Sequence, residues 1–199
     1  MRGAAVFVWY IEEMVTAFNR PATYEDVLAA PENTVAEVIH GVLHTNPRPG
    51  PRHANAGSNL GVLVGGPFRL GKGGPGGWVT LDEPELHLAA DIVVPDLAGW
   101  RRERMPAIPK KAYFEIVPDW ICEILSPSTS KVDRSEKLPI YAREGVRHAW
   151  LLDPIARTLE VFRLESGKWL LLGVHRDDEV VRAEPFDAIE LGLRSLWEL

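Results

Sequence analysis

Apolar and polar positions alternate in short runs along most of the chain, with only a few stretches at helical spacing. Residues 35–39 and 42–44 are extended in pattern and flank His40-Gly41, a pair suited to a tight turn, which predicts a β-hairpin. The segment Pro49-Gly50-Pro51 closes that hairpin. Ahead of it, Thr23 is placed to cap a short helix reaching Leu28, with Glu25 and Asp26 in its first turn and Pro31 beyond its end. Behind it, residues 53–64 carry Ala56, Leu60, Leu63 and Val64 at helical spacing, which predicts a helix buried on that side. The glycine-rich stretch 65–77 predicts a loop.

Strands are predicted at 78–81, 85–88 and 92–100. The last is interrupted by Pro95, which cannot donate to a sheet ladder and so predicts an edge or a bulge. Residues 120–125 form a mostly apolar run expected of a central strand, ended by Ser126-Pro127-Ser128-Thr129-Ser130. A helix follows from about Lys131 to Arg143, stopped by Gly145. Three more strands are predicted at 148–152, 158–164 and 168–174, with Asp153-Pro154 and Ser166-Gly167 as turns.

A chain of 199 residues that is 46% hydrophobic can bury one sizeable core, which predicts a single α/β domain over residues 23–199 behind an N-terminal extension, 1–22, expected to be disordered. Met1 and Met14 are both candidate starts, and a start at Met14 would leave residues 1–13 outside the protein proper. Residues 3–11 are apolar but too short to span a membrane, and Glu12 and Glu13 follow without a cleavage pattern. A single cysteine, Cys122, excludes an internal disulfide or a cysteine-ligated zinc and points to the reducing cytoplasm.

The net charge of −6 excludes a general polyanion binder, so any nucleic-acid contact has to be local. Arg101, Arg102, Arg104, Lys110 and Lys111 crowd into one segment that could touch a phosphate backbone, although a solvated loop is the reading preferred here.

Three apolar runs each contain one acid: Glu37, Asp96 and Glu123. Burying an unpaired carboxylate is costly, and carboxylates gathered together raise one another's pKa unless a cation sits among them. A hard ion with oxygen ligands, Mg²⁺ or Mn²⁺, suits such a set, and zinc suits it poorly. From these positions alone, acids that cap backbone or pair with arginine are an equal reading of Asp96 and Glu123, and Glu37 could face solvent from a half-exposed strand. On the next helix Asp133, Lys137 and Tyr141 fall at i, i+4 and i+8, roughly one face. A lysine there would orient the attacking water and offset charge on a phosphorane-like transition state. The competing readings are a solvated Lys137, an Asp133 favoured by the helix dipole and a Tyr141 ring at the edge of the core.

The seven tryptophans read as structural. Cys122 alternates with Glu123 and should point to the opposite, buried face as an inert thiol. His40 and His44 have a zinc spacing only if helical, and the extended pattern around them argues against it.

Several fragments in order carry a resemblance: Ala36-Glu37-Val38-Ile39-His40-Gly41, Pro51-Arg52-His53, Val93-Val94-Pro95-Asp96-Leu97-Ala98 and Cys122-Glu123-Ile124-Leu125-Ser126-Pro127-Ser128-Thr129. They continue through Asp133, Glu136-Lys137-Leu138, Tyr141-Ala142-Arg143-Glu144-Gly145-Val146 and Trp150-Leu151-Leu152-Asp153-Pro154. Together they resemble the PD-(D/E)XK nuclease superfamily and, more closely, the bacterial Uma-two family of restriction-endonuclease-like proteins, from about Thr23 to the C-terminus.

The resemblance implies an α+β fold with a mixed sheet flanked by helices and additional antiparallel hairpins. It implies a Mg²⁺ or Mn²⁺ ion on Asp96, Glu123 and the backbone carbonyl of Ile124, with Glu37 as a further acidic member. Leu125 stands where the superfamily pattern has lysine, which suggests that the role has moved to Lys137. Residues 54–57 are small where the family often has a longer polar helix, and His53 either touches the site or is solvated.

The expected activity is hydrolysis of DNA phosphodiester bonds by a homodimer whose two sites address two strands. Two other functions stay open: a catalytically silent binding or regulatory module, and a hydrolase of small phosphate esters, which an acidic surface would repel less than long polyanions.

Overall fold

A computed structural model of the protein describes residues 20–198, and the expectations for residues 1–19 lie outside the described residues. Arg20 already pairs with Asp26 at 2.7 Å, and the Ala22 amide donates to the Gly41 carbonyl at 2.7 Å. Helix α1, Tyr24–Leu28, starts in a capping box: Thr23 is the N-cap and the Asp26 carboxylate accepts from its backbone N–H. Strands β1, Thr34–Ile39, and β2, Val42–Pro47, form the expected hairpin, with both turn residues, His40 and Gly41, at positive φ.

Helix α2, Pro51–Val64, buries Ala56, Leu60 and Val64, while Leu63 is only partly buried against the same core. It does not stop at Val64. Residues Gly65–Arg69, expected to be loop, continue it as a wide π turn that buries Phe68, because an apolar anchor inside the glycine-rich stretch still packs.

Strands β3, Trp78–Asp82, β4, Leu86–Leu88, β5, Asp91–Val93, and β6, Leu97–Arg101, follow. The predicted interrupted strand 92–100 is therefore two strands, β5 and β6, and they belong to different sheets. Pro95 has no N–H to continue a ladder, so the chain turns a corner there rather than bulging. Asp96, expected inside a strand, stands at that corner.

Strand β7, Trp120–Ile124, leads into helix α3, which runs through Ser130–Val132, a π turn at Asp133–Lys137 and Leu138–Glu144 before Gly145 ends it in the left-handed region at φ 83°. Strands β8, His148–Asp153, β9, Thr158–Glu165, and β10, Lys168–Arg176, come next. The sequence pattern gave no element after them, but the chain adds β11, Val180–Val181, β12, Leu191–Gly192, and helix α4, Arg194–Trp197.

One sheet has the order β2-β1-β5-β4, all antiparallel, and the larger has the order β10-β9-β8-β7-β6-β3. In the larger sheet only β7 and β8 are parallel, so α3 is the crossover that a parallel pair requires. The result is the expected mixed sheet flanked by helices. On β7, Trp120, Cys122 and Ile124 enter a core shared with α2 and the C-terminal segment, whereas Ile121 enters a core shared with α3 and the smaller sheet. Strand alternation thus puts Glu123 on the α3 side and Cys122 on the opposite, buried side. Phe186 completes the first core, its ring 4.8 Å from Trp120 and 4.9 Å from Trp78. Among the described residues no helix is long and apolar enough to cross a membrane.

Candidate active site

Five parts of the fold converge. Strand β1 contributes Glu37, the corner after β5 contributes Val94 and Asp96, and β7 contributes Glu123 and Ile124. Helix α3 contributes Asp133, Lys137 and Tyr141, and the first turn of α2 contributes His53. Gly57 lets α2 lie close to β7, since a Cβ there would stand 3.1 Å from Ile124 Cδ1. Within the small stretch 54–57, Gly57 thus serves packing against the acid-bearing strand and Ala56 is buried in the core.

Lys137 is the hub. Its Nζ lies 2.9 Å from Glu123 Oε1, 3.0 Å from Glu37 Oε1 and 3.7 Å from Asp133 Oδ1, and it donates to the Val94 carbonyl at 3.3 Å. The side chain is only 4% exposed. Glu37 Oε1 also accepts from the Val94 amide at 2.8 Å, which satisfies a backbone group that leaves the ladder at the Pro95 corner. Tyr141 donates its hydroxyl to Glu123 Oε1 at 2.5 Å from inside the core. Asp96 Oδ2 accepts from the Ile124 amide at 2.6 Å, and its Oδ1 lies 3.1 Å from His53 Nε2.

These contacts set the charge states. Burial would pull Lys137 down, but the charges of Glu123 and Glu37 outweigh it and hold the ammonium well above its ordinary pKa. The surrounding acids thus favour the ammonium form of Lys137. Burial pushes Glu123 well above the usual carboxylate range; Lys137 opposes the shift and Asp133, Asp96 and Glu37 add to it. Burial likewise raises Asp133 to about 6, against the pull of Lys137 and the Thr129 hydroxyl. For His53, burial lowers the pKa, but Asp96 and the Ile124 carbonyl outweigh it and the imidazole is raised. Tyr141, raised by burial and by Glu123, stays a phenol.

Glu37, Asp96, Glu123, Asp133, Lys137 and His53 line one cavity of about 210 Å³, and Ile124 completes its wall. Every residue expected at the site is there except Tyr141, which reaches it only through Glu123. The sequence reading missed Ser126, Ser128 and Thr129 as cavity wall, and Arg48, paired with Glu83 at 3.2 Å, beside them. The serine-rich turn directly after the acid-bearing strand was the available signal. The basic segment at 101–111 does not reach the cavity. Arg101 lies over Trp78, Arg104 pairs with Asp119 and Lys111 pairs with Glu115.

The lysine-centred carboxylate cluster thus sits on a mixed α+β fold whose sheet is flanked by helices. The family model described as Uma2, "Putative restriction endonuclease", matches residues 21–194, and the chain belongs to that family. Among solved structures, one described as a "putative nuclease" from Anabaena variabilis superposes with a TM-score of 0.72 at 23% identity, covering 89% of this chain and 98% of that one. The likeness is one of fold. No curated protein matches the chain.

Proposed function

We propose that the protein is a divalent-metal-dependent endonuclease that hydrolyses DNA phosphodiester bonds in this cavity. One observation carries the reading: four carboxylates, Glu37, Asp96, Glu123 and Asp133, face one cavity together with a single buried lysine. Such an excess of negative charge calls for a cation.

Among the described residues no three His, Cys, Asp or Glu side chains are close enough to cage an ion alone. Mg²⁺ does not need such a cage. It is commonly held by one or two carboxylates, with waters and substrate phosphate filling the rest. Asp96, Glu123 and the Ile124 carbonyl form an all-oxygen donor set that fits this requirement, with Glu37 as the further acid. When bound, the ion would polarise a phosphoryl oxygen and acidify a water.

The chain's own groups do the rest. Asp96 is oriented by the Ile124 amide on one oxygen and by His53 beside the other. Tyr141 and Lys137 both meet Glu123 on Oε1, which fixes its rotamer. Lys137, as an ammonium, orients the attacking water and offsets the negative charge that grows on the phosphorus oxygens. Cutting both strands of a duplex would take two such sites, so the reading implies a homodimer.

The test is cleavage of duplex DNA in Mg²⁺ or Mn²⁺. Activity in the wild type that is lost in Asp96→Ala and in EDTA is expected, and equal activity of Asp96→Ala would sink the proposal. Mononucleotide esters added as competitors separate a nuclease from a small-ester hydrolase, since only the latter would prefer them.

A further inference from the structure

The arginines of this acidic protein are almost all committed. Among the described residues each has a carboxylate, a carbonyl or an aromatic ring as partner, with two exceptions, Arg52 and Arg157. Both exceptions line the same cleft of about 340 Å³, on the flank of the α2 start away from the catalytic cavity. No carboxylate lines that cleft. In a chain of net charge −6, two uncommitted guanidinium groups placed together on an acid-free wall are a local positive site.

The rest of the wall narrows the ligand. Trp197 lines the cleft with its indole N–H already spent on the Asp177 carbonyl at 2.7 Å, so its remaining offer is an apolar ring surface. Ile155, 57% exposed, adds apolar area, and Asn55 supplies an amide. Forked donors for phosphate beside a ring and an apolar side chain match a nucleotide better than a free inorganic anion or an acidic peptide. Arg52 also directly precedes His53, whose ring faces Asp96 in the catalytic cavity. One turn of helix therefore presents a phosphate donor on one side and the catalytic cavity on the other.

We infer that the Arg52–Arg157 cleft is the backbone-binding track of the substrate. It would hold a phosphate of the same DNA strand next to the scissile one, with a base or sugar against Trp197. The inference rests on the nuclease reading above and supplies the local contact that the net charge demands of it.

The experiment compares wild type with Arg52→Gln, Arg157→Gln and the double variant. Binding of a fluorescein-labelled duplex and of its single strand is followed by anisotropy over a salt series in Ca²⁺, and hydrolysis of bis(p-nitrophenyl) phosphate in Mn²⁺ is followed in parallel. Each lost phosphate contact should lower the slope of log K against log salt by about 0.9 for duplex or about 0.7 for single strand. The double variant should therefore bind about tenfold or more weakly at low salt, with a slope reduced by up to about 2, while hydrolysis of the small diester is unchanged. Affinity and slope equal to wild type in the double variant would overturn the inference. So would a wild type that hydrolyses the small diester but binds neither oligonucleotide. Arginine-dependent DNA binding without any diester hydrolysis would leave the track standing and remove the catalytic reading instead.

Discussion

The protein buries carboxylates in two ways. Asp91 accepts from Arg143 Nη2 at 2.7 Å and from the His40 amide at 2.6 Å; Asp119 lies 2.7 Å from Arg104 Nη1 and accepts from the Arg101 amide at 2.9 Å. Each acid is balanced by arginine reaching in from the surface, Arg143 for Asp91 and Arg104, with Arg147 at 3.9 Å, for Asp119, and each pairing ties a turn or loop to its neighbour. At the candidate site three nearly buried acids, Glu37, Glu123 and Asp133, share one lysine, with Asp96 beside them. Burial alone does not separate the two regions, since Asp91 and Asp119 are as hidden as Glu37, Glu123 and Asp133. What separates them is the count of charge and the presence of a cavity. A balanced acid is a joint, while the unbalanced set leaves negative charge facing a cavity.

Substitutions in the two regions should have different consequences. Asp96→Ala and Lys137→Ala should each lower kcat for DNA cleavage by about 100-fold or more, by analogy with the loss of a preorganised transition-state contact. Asp91→Ala should leave kcat near wild type. If it abolishes cleavage in a protein that still folds, the division into joint and site is wrong.

The next effect is one of pH. Asp133 titrates near 6 in the folded protein and near the usual carboxylate value when unfolded, so its ionised form is disfavoured by the fold. That cost is absent below the unfolded pKa and fully present above 6. Asp133→Asn should therefore stabilise the metal-free protein by about 3 kcal/mol at pH 8, the value of roughly two pKa units, with the gain fading to nothing by about pH 4. Urea melts in EDTA at pH 4, 6 and 8 would show it, and a gain independent of pH would contradict the shift.

Metal should act in the same direction on the wild type. An ion that binds only the folded state at about 100 times its Kd adds about 2.7 kcal/mol, and that increment should disappear in Asp96→Ala but survive in Asp91→Ala. Mn²⁺ titrations followed by thermal melting would measure both. Asp91→Ala itself should cost about 2 kcal/mol in a denaturant melt, because two hydrogen bonds to a charged acceptor are lost while the half-exposed Arg143 can turn to water. Tyr141→Phe should be the mildest change, about 1 kcal/mol and a few-fold in kcat, since Lys137 still holds Glu123.

Much of this was readable along the chain, and the failures have physical causes. His40-Gly41 between two extended runs announced the β1–β2 hairpin, and strand geometry at 120–125 put Glu123 and Cys122 on opposite faces. Pro95 was read as an edge or a bulge because a proline within an apolar run gives the same local pattern whether the chain stays in its sheet or leaves it. Strands as short as Val180–Val181 and Leu191–Gly192 have no period to detect, and their packing depends on Phe186 meeting tryptophans distant in sequence. Asp91 and Asp119 drew no expectation from the sequence, since only the fold shows which arginines approach them. Lys137 was legible through its four-residue spacings, but its position among three acids also depends on how the helix that carries it is wound.

That winding has a consequence of its own. A regular α-helix completes a turn in about 3.6 residues, so side chains four apart drift by about 40°. The wide turn at Asp133–Lys137 takes in an additional residue and shifts the phase of everything after it. Excising a single residue from that turn would let the helix close into ordinary winding with its backbone bonds intact, yet would swing the ammonium and the phenol away from the acids they now meet. The register of the site is in this sense a matter of insertion length, and, on the function proposed above, a one-codon deletion would be a cleaner way to silence the protein than replacing any one of its charged groups.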